Sequence, residues 1–345
     1  MLCTTCISEY SFGSYLFSNP HKNNIKLQQN MSAVKMYVRL QKYPELFTAS
    51  KGWLQKWLDP SFLEAMHQLC SGRKERLLDL VQEEAPGIYS FPIFQPEFCK
   101  MFLEEIDNYY ASGLPIRRPN SMNNYGLIVN EIGLSDTMTI LQQHFLLPVA
   151  QLLFPREGAE FHDHHSFIVK YKEGEDLGLD MHTDDSDVTF NICLGRDFTG
   201  AGLTFCGVMG TPAHRKATHK YQHVVGRALV HLGAQRHGAD DIESGERNNL
   251  IIWNHNHTFR ESPAYRRRLY QKEDGPPDLV CLSYTHDRDY GAYKDYPEGK
   301  EDYREKGWCP PPRFCYDQME PVETLRERMG GDRERRGADQ AQPPG

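Results

Sequence analysis

Apolar residues along the chain change their spacing once. From Trp53 onward they recur at three and four residues, at Trp53, Trp57, Leu58, Phe62, Met66 and Leu69, and this helical reading extends to Ala85. Pro60 interrupts it, which predicts two short helices in place of one. A turn is expected at Pro86-Gly87. FPIFQ then reads as a short β-like run, followed by a helix with Pro96 in its first turn and Phe98, Phe102, Ile106 and Tyr109 along one face. Another helix is expected from Ser135, an N-cap, through Ile140, Leu141, Leu147 and Leu152. From Phe161 the spacing becomes alternating. SFIVKY, DVTFNICL, GLTFC, RALVHLG, NNLIIW and LVCLSY are rich in β-branched and aromatic residues and are separated by Gly, Asp or Pro clusters. Helices followed by such strands predict an α+β protein with an all-β sandwich or barrel behind a helical layer.

The ends read differently. The first 45 or so residues show no sustained period, and the segment from about Arg304 to Gly345 is rich in Pro, Gly and charge, which predicts an extended or disordered tail. The expected division is an N-terminal, partly helical region over 1–90, a main domain over 91–300 with its β core at about 161–285, and a tail over 301–345. No internal repeat is evident.

Composition narrows the function classes. With 345 residues the chain can bury a substantial core without disulfides. Lys plus Arg number 39 against 47 Asp plus Glu, a net charge of −8, which disfavours nucleic acid as the main partner. No apolar run reaches the roughly 18 residues of a membrane helix. Nine cysteines at irregular spacing do not form a disulfide framework, and the N-terminal segment lacks the basic and apolar regions of a secretory signal. The expected compartment is therefore the cytosol or nucleus.

Met181-His182-Thr183-Asp184 is the most informative local pattern. It follows a Gly/Asp-rich loop and precedes the strand DVTFNICL. On an alternating strand, residues two apart share a face, so His-x-Asp sets an imidazole and a carboxylate side by side. A third ligand from a distant, facing strand would complete a facial triad that leaves positions open for a co-substrate and O2. His237, 53 residues after Asp184, is the candidate. His231, six residues earlier on RALVHLG, competes for the assignment and is read as a barrel or neighbouring residue. Arg247, ten residues after His237 at the start of NNLIIW, offers a planar charged fork for the distal carboxylate of a dicarboxylic acid.

At these residues the chain resembles the 2-oxoglutarate- and iron-dependent dioxygenases, in the prolyl 4-hydroxylase and lysyl hydroxylase branch. FIVKYKEGEDLGLDMHTDDSDVTFNICLG, GAGLTFCG and GRALVHLGAQRHGADDIESGERNNLIIW carry the resemblance, which covers roughly Phe91 to Thr285 and looks closest to proteins called 2-oxoglutarate- and iron-dependent oxygenase domain-containing. The resemblance implies a double-stranded β-helix (jelly roll) with supporting helices. It implies Fe2+ bound by His182, Asp184 and His237, with Arg247 on the C5 carboxylate of 2-oxoglutarate and Tyr171 in contact with that co-substrate. L-ascorbate follows as the reductant. The implied reaction hydroxylates an unactivated C–H bond, typically of a prolyl or lysyl side chain in a protein, with release of succinate and CO2.

Other features have blander readings. His162, His164 and His165 in HDHH, and His214, His219 and His223 in a basic loop, could hold zinc, but they lack the paired spacing of a structural site and read as exposed polar loops. His255 and His257 read as surface residues or neighbours of the site. Cys3 and Cys6 form an isolated C-x-x-C, and Arg266, Arg267 and Arg268 form a solvated charge run. A non-catalytic jelly-roll interaction module and a zinc-binding regulator are the rival functions.

Overall fold

The computed structural model describes residues 34–208 and 219–265. LVCLSY, Arg266 to Arg268, His214, Cys3, Cys6 and the tail lie outside them. Twelve strands are described: β1 (Gln82–Ala85), β2 (Ile88–Pro92), β3 (Gly126–Ile128), β4 (Asp163–Lys172), β5 (Leu179–His182), β6 (Val188–Gly195), β7 (Phe198–Gly200), β8 (Leu203–Val208), β9 (His219–Tyr221), β10 (Arg227–Leu232), β11 (Gln235–Ala239) and β12 (Ile242–His255). They form two antiparallel sheets. The larger runs β1-β2-β10-β6-β12-β4-β3, with β7 also paired to β12, and the smaller runs β5-β11-β8-β9.

Alternation decides what each face of the large sheet meets. On β6, Val188, Phe190, Ile192 and Leu194 join a core cluster shared with the helices, among them Phe62, Phe98, Phe102 and Leu146. Thr189 and Asn191 point the other way, into the cleft between the sheets. The helical layer therefore covers one face. The small sheet covers the other, where Phe167, Tyr171, Leu229 and Ile251 pack with Leu203, Phe205 and Ala239.

The helix Pro96–Ala111 buries Phe98, Phe102, Ile106 and Tyr109, the stripe its spacing implies, and packs against β6. Phe98 sits among Trp53, Trp57, Phe94 and Phe102, with ring centroids 4.4 to 6.3 Å apart.

Several expectations are corrected. The stretch from Trp53 to Ala85 is not two helices but three, Lys51–Gln55, Pro60–Cys70 and Glu75–Leu80, and then a strand. Gly72, at φ +80, turns the chain after the second. Gln82–Ala85 pairs with β2 across the Pro86-Gly87 turn, because a partner strand satisfies its backbone groups. Ser135 is the first residue of its helix and Leu134 occupies the N-cap. That helix ends at Leu141 in a wider π-helical turn, Gln142–Leu146, before Leu147–Leu153. The wide turn ends two residues before Pro148, whose nitrogen cannot donate to the carbonyl four residues back.

A division at residue 90 would cut β2, which pairs with β10, and one apolar cluster joins Leu46 and Phe62 to Phe190 and Leu250. HDHH is not a loop. His164 and His165 lie on β4, which pairs residue for residue with β12 from Asp163–His255 to Lys172–Glu246.

Candidate active site

His182 is the last residue of β5, and His237 lies directly across the ladder on β11, its Cα partner. The two histidines are thus neighbours in one sheet, rather than a pair facing each other across a barrel as the spacing suggested. The carboxylate is also off the strand. Asp184 stands two residues past the end of β5, where its N–H donates to the Gly233 carbonyl at 2.9 Å. Thr189 Oγ1 donates to Asp184 Oδ2 at 2.7 Å, which turns Oδ1 toward the imidazoles. His182 Nε2 is 3.4 Å and His237 Nε2 3.8 Å from that oxygen. One ligand atom from each of the three lies within 4.8 Å of the others, and among the described residues no other set of three His, Cys, Asp or Glu converges this way.

The protonation pattern suits a cation. His237 Nδ1 donates to the Gln235 carbonyl at 2.9 Å, which leaves Nε2 a bare lone pair facing Asp184. Burial pushes the His237 imidazole down to about 3, against the pull of Asp184, so it is neutral at pH 7. Burial also raises the Asp184 carboxyl, but His237 and His182 beside it more than offset this and hold it well below the usual carboxylate range. Two imidazoles and one carboxylate are nitrogen and oxygen donors in the number that non-haem Fe(II) takes while keeping positions open. The donor set fits that metal.

His231 lies on β10, in the opposite sheet. It is fully buried, with its ring edge-on to His237 at 4.6 Å, its Nδ1 on the Leu232 carbonyl and its Nε2 without a partner. It stands beside the converging set and is not one of it.

Arg247 and Tyr171 are Cα partners across β12 and β4, on the face of the large sheet that looks at the triad. The guanidinium carbon lies 4.5 Å from the Tyr171 ring centroid, Nη1 donates to the Ala201 carbonyl, and Nε has no partner. Arg247 is 1% exposed and makes no ion pair with a carboxylate among the described residues. Such a cation is costly to keep. Tyr171 Oη accepts from Asn123 Nδ2 at 3.1 Å. Triad, Arg247 and Tyr171 all line one cleft, which Asn120, Met122 and Asn123 also border. Asp176 holds that border, accepting from the Asn124 and Tyr125 N–H groups at 2.7 and 3.1 Å.

Residues 35–159 match the OGFOD2-like domain. The match begins well before Phe91, so the helical layer and the first strands carry the likeness as well. The chain is 43% identical over 205 residues to 2-oxoglutarate and iron-dependent oxygenase domain-containing protein 2 of Mus musculus, which covers 59% of this chain and 57% of that protein. It is 38% identical over 218 residues to 2-oxoglutarate and iron-dependent oxygenase domain-containing protein ICU11 of Arabidopsis thaliana, covering 60% and 54%. The chain thus spans somewhat over half the length of these relatives. Among solved structures, a prolyl hydroxylase of Trichoplax adhaerens, in complex with a hypoxia inducible factor oxygen degradation domain peptide fragment, is 16% identical with a TM-score of 0.40, covering 56% of this chain and 94% of that one.

Sequence reasoning missed several groups that border the cleft. Thr189, which orients Asp184, and Asn191 were legible as the polar positions of DVTFNICL; Asn123 carries no local signal because its loop is held at the cleft by residues far along the chain, Tyr171 and Asp176 among them. Among the described residues, His162, His164, His165, His219 and His223 do not converge in a set of three with other His, Cys, Asp or Glu ligand atoms, and His214 lies outside them. His164 instead bonds Ser166 Oγ at 2.8 Å and Thr139 Oγ1 at 3.0 Å, and His255 is buried against Asp163.

Proposed function

We propose that the protein is an Fe(II)- and 2-oxoglutarate-dependent dioxygenase, folded as a double-stranded β-helix, that hydroxylates an unactivated C–H bond and releases succinate and CO2. The observation that carries the reading is one cleft holding both a buried two-His, one-carboxylate set and, from the opposite sheet, a buried arginine that makes no ion pair with a carboxylate among the described residues. His182, Asp184 and His237 would hold the iron, which when bound supplies the means to reduce O2 at the expense of 2-oxoglutarate. Arg247 would pair with the C5 carboxylate of that acid, and Tyr171 would bound its side of the pocket. Thr189 keeps one carboxylate oxygen of Asp184 occupied, leaving the other for metal. The apolar walls, Phe167, Leu203 and Ile251 among them, keep bulk water from the site.

A prolyl or lysyl side chain of a protein is the proposed substrate, on the strength of the segment from Phe167 to Gly195, and L-ascorbate is the proposed reductant. The chain is proposed to work in the cytosol or nucleus. Anaerobic addition of Fe(II) and then 2-oxoglutarate should raise the weak visible charge-transfer band of the chelate, and aerobic turnover should yield succinate. Loss of both in His182→Ala, Asp184→Ala and His237→Ala is the expected result. Wild-type succinate formation by His237→Ala together with its loss in His231→Ala would move the third ligand to His231.

A further inference from the structure

The loop after Asp184 is clamped by the segment that follows β12. Asp187 Oδ2 accepts from the Asn256 N–H at 2.7 Å and from Arg260 Nε at 2.9 Å, and Arg260 Nη1 reaches Asp185 Oδ1 at 3.0 Å. The centre of this clamp is His255, 3% exposed. Its Nδ1 meets Asp163 Oδ1, and its Nε2 meets the Asp185 backbone carbonyl at 2.7 Å. A carbonyl can only accept, and an ionised carboxylate can only accept. Both ring nitrogens must therefore carry protons, and the bridge exists only in the imidazolium form.

We propose that His255 is a positioning residue for the metal centre, a doubly protonated bridge that ties the Asp184 loop to the first residue of β4. The inference rests on the metal reading of the preceding subsection and deepens it. Loss of one proton would leave a lone pair facing either the Asp163 carboxylate or the Asp185 carbonyl, so one of the two bonds must open. Opening either one frees the loop one residue beyond Asp184, whose own N–H is held from the other side by the Gly233 carbonyl.

The charged and titratable groups around His255 come from three elements. β4 contributes Asp163, His164 and His165; the loop contributes Asp185; and the short helix His257–Glu261 contributes His257 and Arg260. His257 Nε2 sits 2.8 Å from Asp163 Oδ2 and stacks on His162 at 5.0 Å, with Glu160 beyond at 3.5 Å. Burial opposes the charge on His255, but the Asp163 hydrogen bond and charge outweigh it and raise the imidazole above its ordinary value. The bridge is thus intact below that ordinary value and is lost as pH rises through the raised one.

This gives a sign opposite to ordinary metal binding, in which affinity climbs with pH as ligands lose protons. The test is the Mn(II) affinity of the full chain, by calorimetry from about pH 6 to about pH 9. Wild type should lose affinity along the alkaline limb. His255→Gln, whose two donor hydrogens share one nitrogen and so cannot serve acceptors at opposite ends of the side chain, should bind roughly 10- to 100-fold more weakly at the acid end and show no alkaline loss. Asp163→Asn removes the charge that holds the proton and should move the loss to lower pH. An affinity that is flat or rising along the wild-type alkaline limb overturns the proposal without any variant, as does His255→Gln binding equal to wild type at the acid end. Absence of Mn(II) binding at every pH, or wild-type binding by His182→Ala, overturns the metal centre and the bridge together; the other outcomes overturn the bridge alone.

Discussion

Replacing Arg247 by Met tests whether the fold keeps this cation for a ligand. The side chain is 1% exposed, donates to the Ala201 carbonyl, lies 4.5 Å from the Tyr171 ring centroid, and leaves Nε unpaired. Burial holds its guanidinium below the ordinary arginine value, with Tyr171 the largest opposing influence, yet leaves it charged at pH 7. A buried charge without a counter-ion gains little from its surroundings, and an apolar residue of similar volume is neutral or stabilising by about 1 to 4 kcal/mol. Met should therefore leave the ligand-free protein no less stable. Binding should tell the opposite story. A charge-assisted pair in a desolvated site is worth about 2 to 4 kcal/mol when one partner is removed, roughly 30- to 1000-fold in 2-oxoglutarate affinity. At a concentration of about 100 times the dissociation constant, 2-oxoglutarate should stabilise wild type by about 2.7 kcal/mol; a variant weakened about 100-fold should gain only about 0.4 kcal/mol. The assay is chemical denaturation under anaerobic conditions with Mn(II), with and without 2-oxoglutarate, on wild type, Arg247→Met and Arg247→Lys. Lys should retain part of the gain because the charge remains while the fork is lost. Two results refute the reasoning: an undiminished 2-oxoglutarate gain in the Met variant, or a ligand-free loss above about 2 kcal/mol, which would make Arg247 a structural cation.

Three further perturbations probe the scaffold. A Cβ on Gly233 would sit 1.9 Å from the Ser186 carbonyl oxygen and 3.1 Å from that of Asp184, so Gly233→Ala should cost about 2 kcal/mol or more in denaturant unfolding and weaken Mn(II) binding; unchanged values in both would mean that the loop is free to move. Glu105, fully buried, accepts from the Tyr43 N–H at 2.6 Å, the Lys42 N–H at 3.3 Å and the Tyr37 hydroxyl, so Glu105→Leu should cost about 3 kcal/mol and expose the 37–43 segment to proteolysis; a loss below about 1 kcal/mol speaks against this anchor. Burial pushes the His164 imidazole down from 6.5 to about 4, so the unfolded chain takes up a proton that the native state refuses. Stability from this group is complete above pH 6.5 and falls as pH drops toward 4, by up to about 3 kcal/mol; His164→Gln should flatten that part of the stability–pH curve, and an equal slope in both proteins would exclude the assignment.

Local spacing determined the elements long enough to repeat an apolar stripe or row on one face, whether or not the other face is buried too. The helix Pro96–Ala111 and the strands β4, β6, β8, β10 and β12 each bury a stripe or an alternating row, so their apolar periods were legible, and the polar members of β6 already marked the cleft face. His-x-Asp, the distal histidine and the arginine were legible as residue types at suggestive spacings. Tertiary structure alone decided how they meet. β5 and β11 are four and five residues long, LDMH and QRHGA, too short and too polar for a period, and they are strands because each supplies the other's hydrogen-bond partners across an intervening 52 residues. That pairing puts His237 opposite His182, whereas spacing along the chain could say only that the two were far apart. The same holds for Gln82–Ala85, helical by spacing and a strand by pairing, and for HDHH, polar enough for a loop yet taken into β4. His255 is the clearest case. Its need for two protons is written in no neighbour along the chain; it follows from two acceptors, Asp163 and the Asp185 carbonyl, that only the folded sheet brings to either side of one imidazole.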